Sequence, residues 1–179
     1  MPPIGWEAEL RRALRDAVSD DAFWGPRLAK LQDPKKSSAA SLHLAVFVEP
    51  YLEFVLTGKK TIESRFGVRR TPPYQTVRRW DVILLKRASG PIVGICEVAN
   101  VWFYELDPVS WGMIRRDFAV AICPQDGFWD ARKHASFATL IRVANVTRLP
   151  PISCAKRDRR GWVILSSQRE PSQLGLDLT

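Results

Sequence analysis

The chain has 179 residues, 46% apolar or aromatic and 26% charged, which is ordinary for a soluble globular protein and long enough for one domain plus an extension. No apolar run approaches the length of a membrane-spanning helix, and the acids early in the N-terminus argue against a signal peptide. With 27 Lys and Arg against 19 Asp and Glu the net charge is +8, so nucleic acid is the first partner to weigh; solubility alone is the competing explanation.

From Trp6 to about Gln32 the pattern is helical, with Trp6, Leu10, Ala13, Leu14, Ala17 and Val18 on one stripe and a break and restart near Ser19-Asp20-Asp21. This arm (1–32) has too little surface to fold alone, so it is expected to pack on the main domain or to self-associate with a second copy. Residues 33–41, polar and small, read as a linker, and the main domain runs over 42–166 with a polar tail after it. Its first strand is Leu42 to Val48, in which His43 reads as a satisfied structural residue. Pro50 then suits the start of a short helix, Tyr51, Phe54 and Val55 make its stripe, and Gly58 supplies a left-handed C-cap.

Lys59 to Phe66 alternates with period two and reads as a strand, with Thr61, Glu63 and Arg65 on one face and Ile62, Ser64 and Phe66 on the other. An Arg-rich loop follows (67–79), then strands over Asp81–Lys86 and Ile92–Trp102 joined as a hairpin by Ser89-Gly90-Pro91. Asp107-Pro108 opens a helix that should break near Pro124, and Phe128 to His134 reads as a second, short helix. Phe137–Leu149 and Gly161–Leu165 are the last strands. Cys96 reads as a small core residue; Cys123 and Cys154 are taken as reduced thiols of a cytoplasmic protein, and no cysteine–histidine spacing resembles a metal site. Strands outnumber helices, and a closed barrel would remove the edges of such a set. Alternate residues Ile62, Phe66, Val82, Leu84, Ile95, Val98, Leu140 and Val163 are expected to be buried and to fill it.

Gly58, Lys60, Glu63 and Arg65 reproduce the G-x-K-x-x-E-x-R signature of ASCH domains, and FATLIRVANVTRLPP with KRDRRGW resembles the closing part of longer members. The resemblance covers roughly Leu42 to Ser166. It implies an α+β fold centred on a PUA-like small β-barrel, here with flanking helices and an N-terminal helical extension. It also implies RNA binding, since ASCH and PUA-like domains are generally associated with RNA. One small branch hydrolyses the acetamide of N4-acetylcytidine nucleosides. That branch resembles this chain at Lys60 but carries threonine where Glu63 stands, and its second catalytic carboxylate has no assigned counterpart; Glu105, Asp107 and Asp117 are candidates.

Two functions follow as expectations. The first is a nucleic-acid-binding module for RNA or another single strand, with Lys60, Glu63 and Arg65 forming a cleft for a base, nucleotide, nucleoside or phosphate. Arg69, Arg70, Arg78 and Arg79 can grip phosphates, and Tyr74 and Trp80 offer planar faces. Trp80, beside a strand start, reads as core, while Tyr74 fits either place. Lys156, Arg157, Arg159 and Arg160 would extend the track if they share that side, although charge runs are usually solvated faces. The second function is a small hydrolase, of the N4-acetylcytidine or a ribonuclease-like kind, with Lys60, Glu63 and Thr61 as catalytic residues and no cofactor. The bland alternative pairs Glu63 with Arg65 and leaves Lys60 in solvent.

Overall fold

Long, bulged strands shape this protein. A computed structural model describes residues 5–33, 40–155 and 159–166. Helices α1 (Gly5–Ala17) and α2 (Trp24–Gln32) precede strand β1 (Leu42–Phe47), helix α3 (Tyr51–Leu56) and strand β2 (Ile62–Gly67). Strands β3 (Val82–Arg87) and β4 (Ile92–Glu105), helix α4 (Pro108–Ile122), a 3-10 turn (Asp130–Arg132), β5 (Phe137–Ile152) and β6 (Trp162–Ser166) follow. The six strands form one sheet in the order β2-β5-β4-β3-β1-β6. Among the described residues only the β1–β3 pairing is parallel, from Leu42 opposite Val82 to Phe47 opposite Arg87. The register of β4 against β5 shifts at three places, and such bulges bend and twist a strand pair until the sheet curls.

The expected barrel is therefore a curled mixed sheet with β2 and β6 at its edges. A side chain spans the gap between those edges: Arg65 on β2 donates to the carbonyl of Val46 on β1 (2.9 Å) and reaches that of Gly161, just before β6 (3.4 Å). Where a ladder would have closed the sheet, a guanidinium does.

Both faces of the sheet are covered. On one, Ala45, Phe47, Ile83, Leu85, Cys96 and Ile141 pack with Leu52 and Val55 of α3. The other face is divided: Leu42, Leu44, Val82, Leu84 and Ile95 pack under Leu10, Leu14, Trp24 and Leu28 of the arm, while Ile62 and Leu140 pack under Ile114 and Ile122 of α4. Of the residues expected inside, Ile62, Val82, Leu84, Ile95, Val98 and Leu140 are buried and Phe66 and Val163 half-buried. Most of them face the helices, because period two marks a buried face without saying which layer buries it. The arm packs on the sheet, and Trp24 Nε1 donates to Thr147 Oγ1 of β5 at 2.9 Å. Asp107 caps α4 reciprocally with Ser110, and Pro108 stands in its first turn.

His43 and Asp81 are fully buried and satisfy each other, His43 Nε2 lying 3.0 Å from Asp81 Oδ2. Trp162 Nε1 donates to His43 Nδ1 at 3.1 Å, which leaves Nε2 as the protonated nitrogen of a neutral ring. The backbone N–H groups of Ser41 and Arg78 donate to the Asp81 carboxylate. This is the structural histidine the strand pattern anticipates.

Gly94 on β4 tests the packing. A Cβ there would meet Leu56 Cδ2 at 2.6 Å, Leu85 Cδ1 at 3.1 Å and the Thr147 carbonyl oxygen at 3.3 Å. The leucines can yield a little, but the β5 backbone cannot. Gly94→Ala is expected to lower stability by about 1–3 kcal/mol, read from the urea midpoint. An unchanged midpoint would mean the β4–β5 layer is looser than these distances allow.

Candidate functional site

Gly58, at φ +78°, turns the chain out of α3, and the Lys60 N–H then donates to the Phe54 carbonyl at 2.8 Å. Thr61 N–H donates to the Ala121 carbonyl of α4, so the start of β2 is held against the C-terminal end of that helix. Lys60 Nζ consequently donates to the Ile122 carbonyl at 2.7 Å, where the negative end of the helix dipole favours an ammonium. Lys60 is 2% exposed, so it is not the solvated lysine of the bland alternative. Burial holds its pKa below that of a free lysine, and Glu63 partly offsets this.

Glu63 is buried on the sheet face shared with Ile141, its β5 partner. Its Oε1 lies 2.7 Å from Arg65 Nε and its Oε2 3.6 Å from Lys60 Nζ, the latter an ion pair longer than a hydrogen bond. The Arg65 guanidinium is further held between the rings of Phe47 (5.0 Å) and Trp162 (5.4 Å). With two carbonyls and a carboxylate already met, Arg65 is chiefly a structural cation that borders the site.

Two cavities flank Arg65 and Phe66. The larger, about 280 Å³, is lined by Tyr51, Lys60, Glu63, Ser64, Phe128 and Arg132 among others. The smaller, about 130 Å³, is lined by Arg69, Thr71, Tyr74, Phe137, Thr139 and Trp162 with Gly161. Strand alternation turns Ser64 away from Glu63, yet both line the larger cavity. β2 is an edge strand, and the cavity runs along it past the consecutive residues Glu63, Ser64, Arg65 and Phe66, although the Ser64 hydroxyl itself is buried. Arg132, which the sequence reading passed over, comes from the 3-10 turn. Its Nη1 donates to the Phe128 carbonyl (2.9 Å), its guanidinium carbon lies 3.7 Å from the centre of the Phe128 ring, and burial lowers its pKa. No local motif marks it; an arginine in a short polar turn is common.

The other candidates are scattered. Thr61 is exposed and lines neither cavity. Arg69 is exposed at the smaller cavity, whereas Arg70 is paired with Glu105 and lies 5.2 Å from the Phe137 ring. Tyr74 is buried against Phe103 and Phe137 while still lining that cavity. Arg78 and Arg79 are exposed, and Arg79 stacks over Trp80 at 4.4 Å. Trp80 itself is 51% exposed, which corrects its assignment to the core. Asp81 takes the inward position to meet His43, so the residue before it is turned out, with φ +75°. Its carbonyl accepts from Arg27 Nη2 on α2.

Lys156 and Arg157 lie outside the described residues; Arg159 and Arg160 are exposed and immediately precede Gly161 at the smaller cavity. Of the candidate second carboxylates, Glu105 holds Arg70, Asp107 caps α4 and Asp117 pairs with Arg116; none lines either cavity. Among the described residues no helix is long and apolar enough to cross a membrane.

No family model and no curated protein matches the sequence. Solved structures do match. The crystal structure of ASCH from Zymomonas mobilis is 13% identical, with 77% of this chain and 95% of that chain covered at a TM-score of 0.58. Two single-substitution mutants of the Zymomonas mobilis protein are each 14% identical, covering 63% and 65% of this chain and 75% and 76% of theirs, at TM-scores of 0.51 and 0.50. At such low identity the likeness speaks of architecture: the chain has the α+β, PUA-like fold of the ASCH domain.

Proposed function

We propose that this domain binds single-stranded nucleic acid, RNA in the first place, with one nucleotide seated where the two cavities meet at Arg65. One observation supports the reading: two neighbouring cavities share Arg65 and Phe66 in their walls, one lined also by Lys60, Arg132, Tyr51 and Phe128 and the other by Arg69, Tyr74 and Phe137. Glu63, an acid lining the first of them, is already paired with Arg65. Cations that grip phosphate beside rings that can face a base are the two elements of single-strand recognition. The net charge of +8 supports the same reading by drawing polyanions to the surface.

Salt and mutation test it together. Single-stranded RNA should bind with an affinity that falls as salt rises, because each neutralised phosphate releases counterions. The double substitution Arg69→Ala, Arg70→Ala should weaken binding and reduce the salt slope by roughly 0.7 to 1.4, most of it through Arg69, since Arg70 already has Glu105. An anisotropy titration with no binding at low salt, or with an unchanged slope in the variant, removes the reading.

A hydrolase reading keeps one specific support: a buried lysine of lowered pKa beside a carboxylate in a cavity can accept a proton nearer to neutral pH than an ordinary lysine. Thr61 is exposed and lines neither cavity, so this reading leans on Lys60 and Glu63. Acetate release from N4-acetylcytidine by the wild type, abolished in Lys60→Ala, would establish it; no release would end it.

A further inference from the structure

Helix α4 and the 3-10 turn hold another cavity between them, of about 160 Å³, lined by Trp111, Arg115, Trp129, Asp130 and Lys133. It shares no lining residue with the two cavities at Arg65. The turn divides the two regions. Its Arg132 and the nearby Phe128 line the larger Arg65 cavity, whereas Trp129, Asp130 and Lys133 line this one.

The rings of this region form a stack with a corner. Phe66 and Trp111 are parallel to within 2°, with ring centres 5.1 Å apart, so a ring covers one face of Trp111. Trp129 meets Trp111 at 85° and 6.0 Å, and no second ring among the described residues lies parallel to Trp111. Both tryptophans are half-buried, and both keep surface at the cavity they line. A flat ligand laid on Trp111 would continue the stack that Phe66 begins, with Trp129 as the side wall.

The charges point the same way. Arg115 and Lys133 are exposed, and the Arg115 guanidinium carbon lies 5.7 Å from the centre of the Trp129 ring. Neither side chain makes an ion pair or hydrogen bond among the described residues, whereas the adjacent Arg116 is held at two nitrogens by Asp117. The two cations outnumber Asp130, the one acid of the lining. Planar faces beside a surplus of positive charge suit a nucleotide, its base on the rings and its phosphate at the cations.

We infer that this cavity is a second nucleotide station, which takes one base of a bound single strand against Trp111 and Trp129 and a phosphate at Arg115 and Lys133. The inference rests on the proposed nucleic-acid binding and extends its footprint. Phe66 lines both cavities at Arg65 and backs Trp111, so the two stations lie on either side of one two-ring stack and one strand can meet both.

The test compares an RNA strand of roughly eight nucleotides with a strand of the same length built from stable abasic residues, both titrated into the full chain. Trp111→Ala should weaken the base-bearing strand by about 5- to 100-fold, the span of one lost base–aromatic stack, and leave the abasic strand within about two-fold. Trp111→Phe should recover part of the loss. The exposed pair Arg115→Ala, Lys133→Ala should keep the wild-type melting temperature, weaken both strands alike and reduce the salt slope by roughly 0.7 to 1.4. Irradiating a 5-iodouridine strand bound to the wild type should crosslink it to Trp111 or Trp129, read by peptide mass spectrometry.

If the wild type binds RNA but a folded Trp111→Ala keeps its full affinity, or the Arg115, Lys133 pair leaves the slope unchanged, the second station is wrong while nucleic-acid binding stands. If no strand binds the wild type, both fall. Should Trp111→Ala fail to fold, the other two measurements decide: an unchanged slope with no crosslink at either tryptophan overturns the inference.

Discussion

Replacing Glu63 by glutamine is expected to destabilise the fold by about 3–5 kcal/mol, the usual consequence of taking one partner from a buried charge pair. Glutamine keeps the shape but leaves Lys60, 2% exposed, and the Arg65 guanidinium without their carboxylate. The loss should depend on pH, and its sign follows from Lys60. Its folded-state pKa is lowered by burial, so between that value and the free side chain's 10.5 the unfolded chain binds the proton more tightly. Stability from this residue therefore rises with pH through that window. Glu63 is the main influence raising the Lys60 pKa, so its neutralisation pushes that pKa further down and widens the window toward neutrality. Urea unfolding should show the variant's deficit to be largest near about pH 7 and smaller near about pH 10. A deficit that grows with pH, or one below about 1 kcal/mol, would mean that the carboxylate is not what holds these cations. On the hydrolase reading the same variant would also lose roughly two to four orders of magnitude in turnover, beyond any loss of folded protein.

Trp24→Ala is expected to cost about 3–5 kcal/mol, as large a loss as a core aromatic of the main sheet would cause. Trp24 is 1% exposed, meets Phe23 edge-on at 4.9 Å, donates to Thr147 and packs with Leu42, Leu44 and Val82 of the sheet. Nearby, Arg27 on α2 pairs with the buried Glu97 at 2.5 Å, which ties the arm to β4 electrostatically as well. Arm and sheet should unfold in one transition, so probes placed in each should report a common urea midpoint in both wild type and variant. A loss under about 1 kcal/mol, or an arm that melts separately while the sheet persists, would show the arm to be an appendage after all.

The strands illustrate what local chemistry encodes. The apolar and alternating runs located the described strands, but β4 and β5 run on to Glu105 and Ile152, past the expected ends at Trp102 and Leu149, and β2 starts only at Ile62. There Lys59 to Thr61 lie outside the ladder because the backbone N–H of Thr61 goes to Ala121 of α4 rather than to a neighbouring strand. Gly58 and the helix start at Asp107-Pro108 were legible for the same reason: a positive φ and a helix start are settled by neighbours in the chain.

The sequence by itself determined the elements, their order, the basic charge and the grouping of Lys60, Glu63 and Arg65. Only the tertiary structure decided that Lys60 is buried at the end of α4, that the arm covers half of one sheet face and that Arg65 bridges the sheet's open edge. It also decided that Ser64 and Arg132 share a cavity and that Trp80 turns outward. The division has a physical cause. Periodicity and capping depend on residues a few positions apart, so the chain declares them locally. A cavity at an edge strand depends on which distant elements pack beside it: Arg132 is far from Ser64 in sequence, and only the fold of β2 against the turn after α4 brings them together.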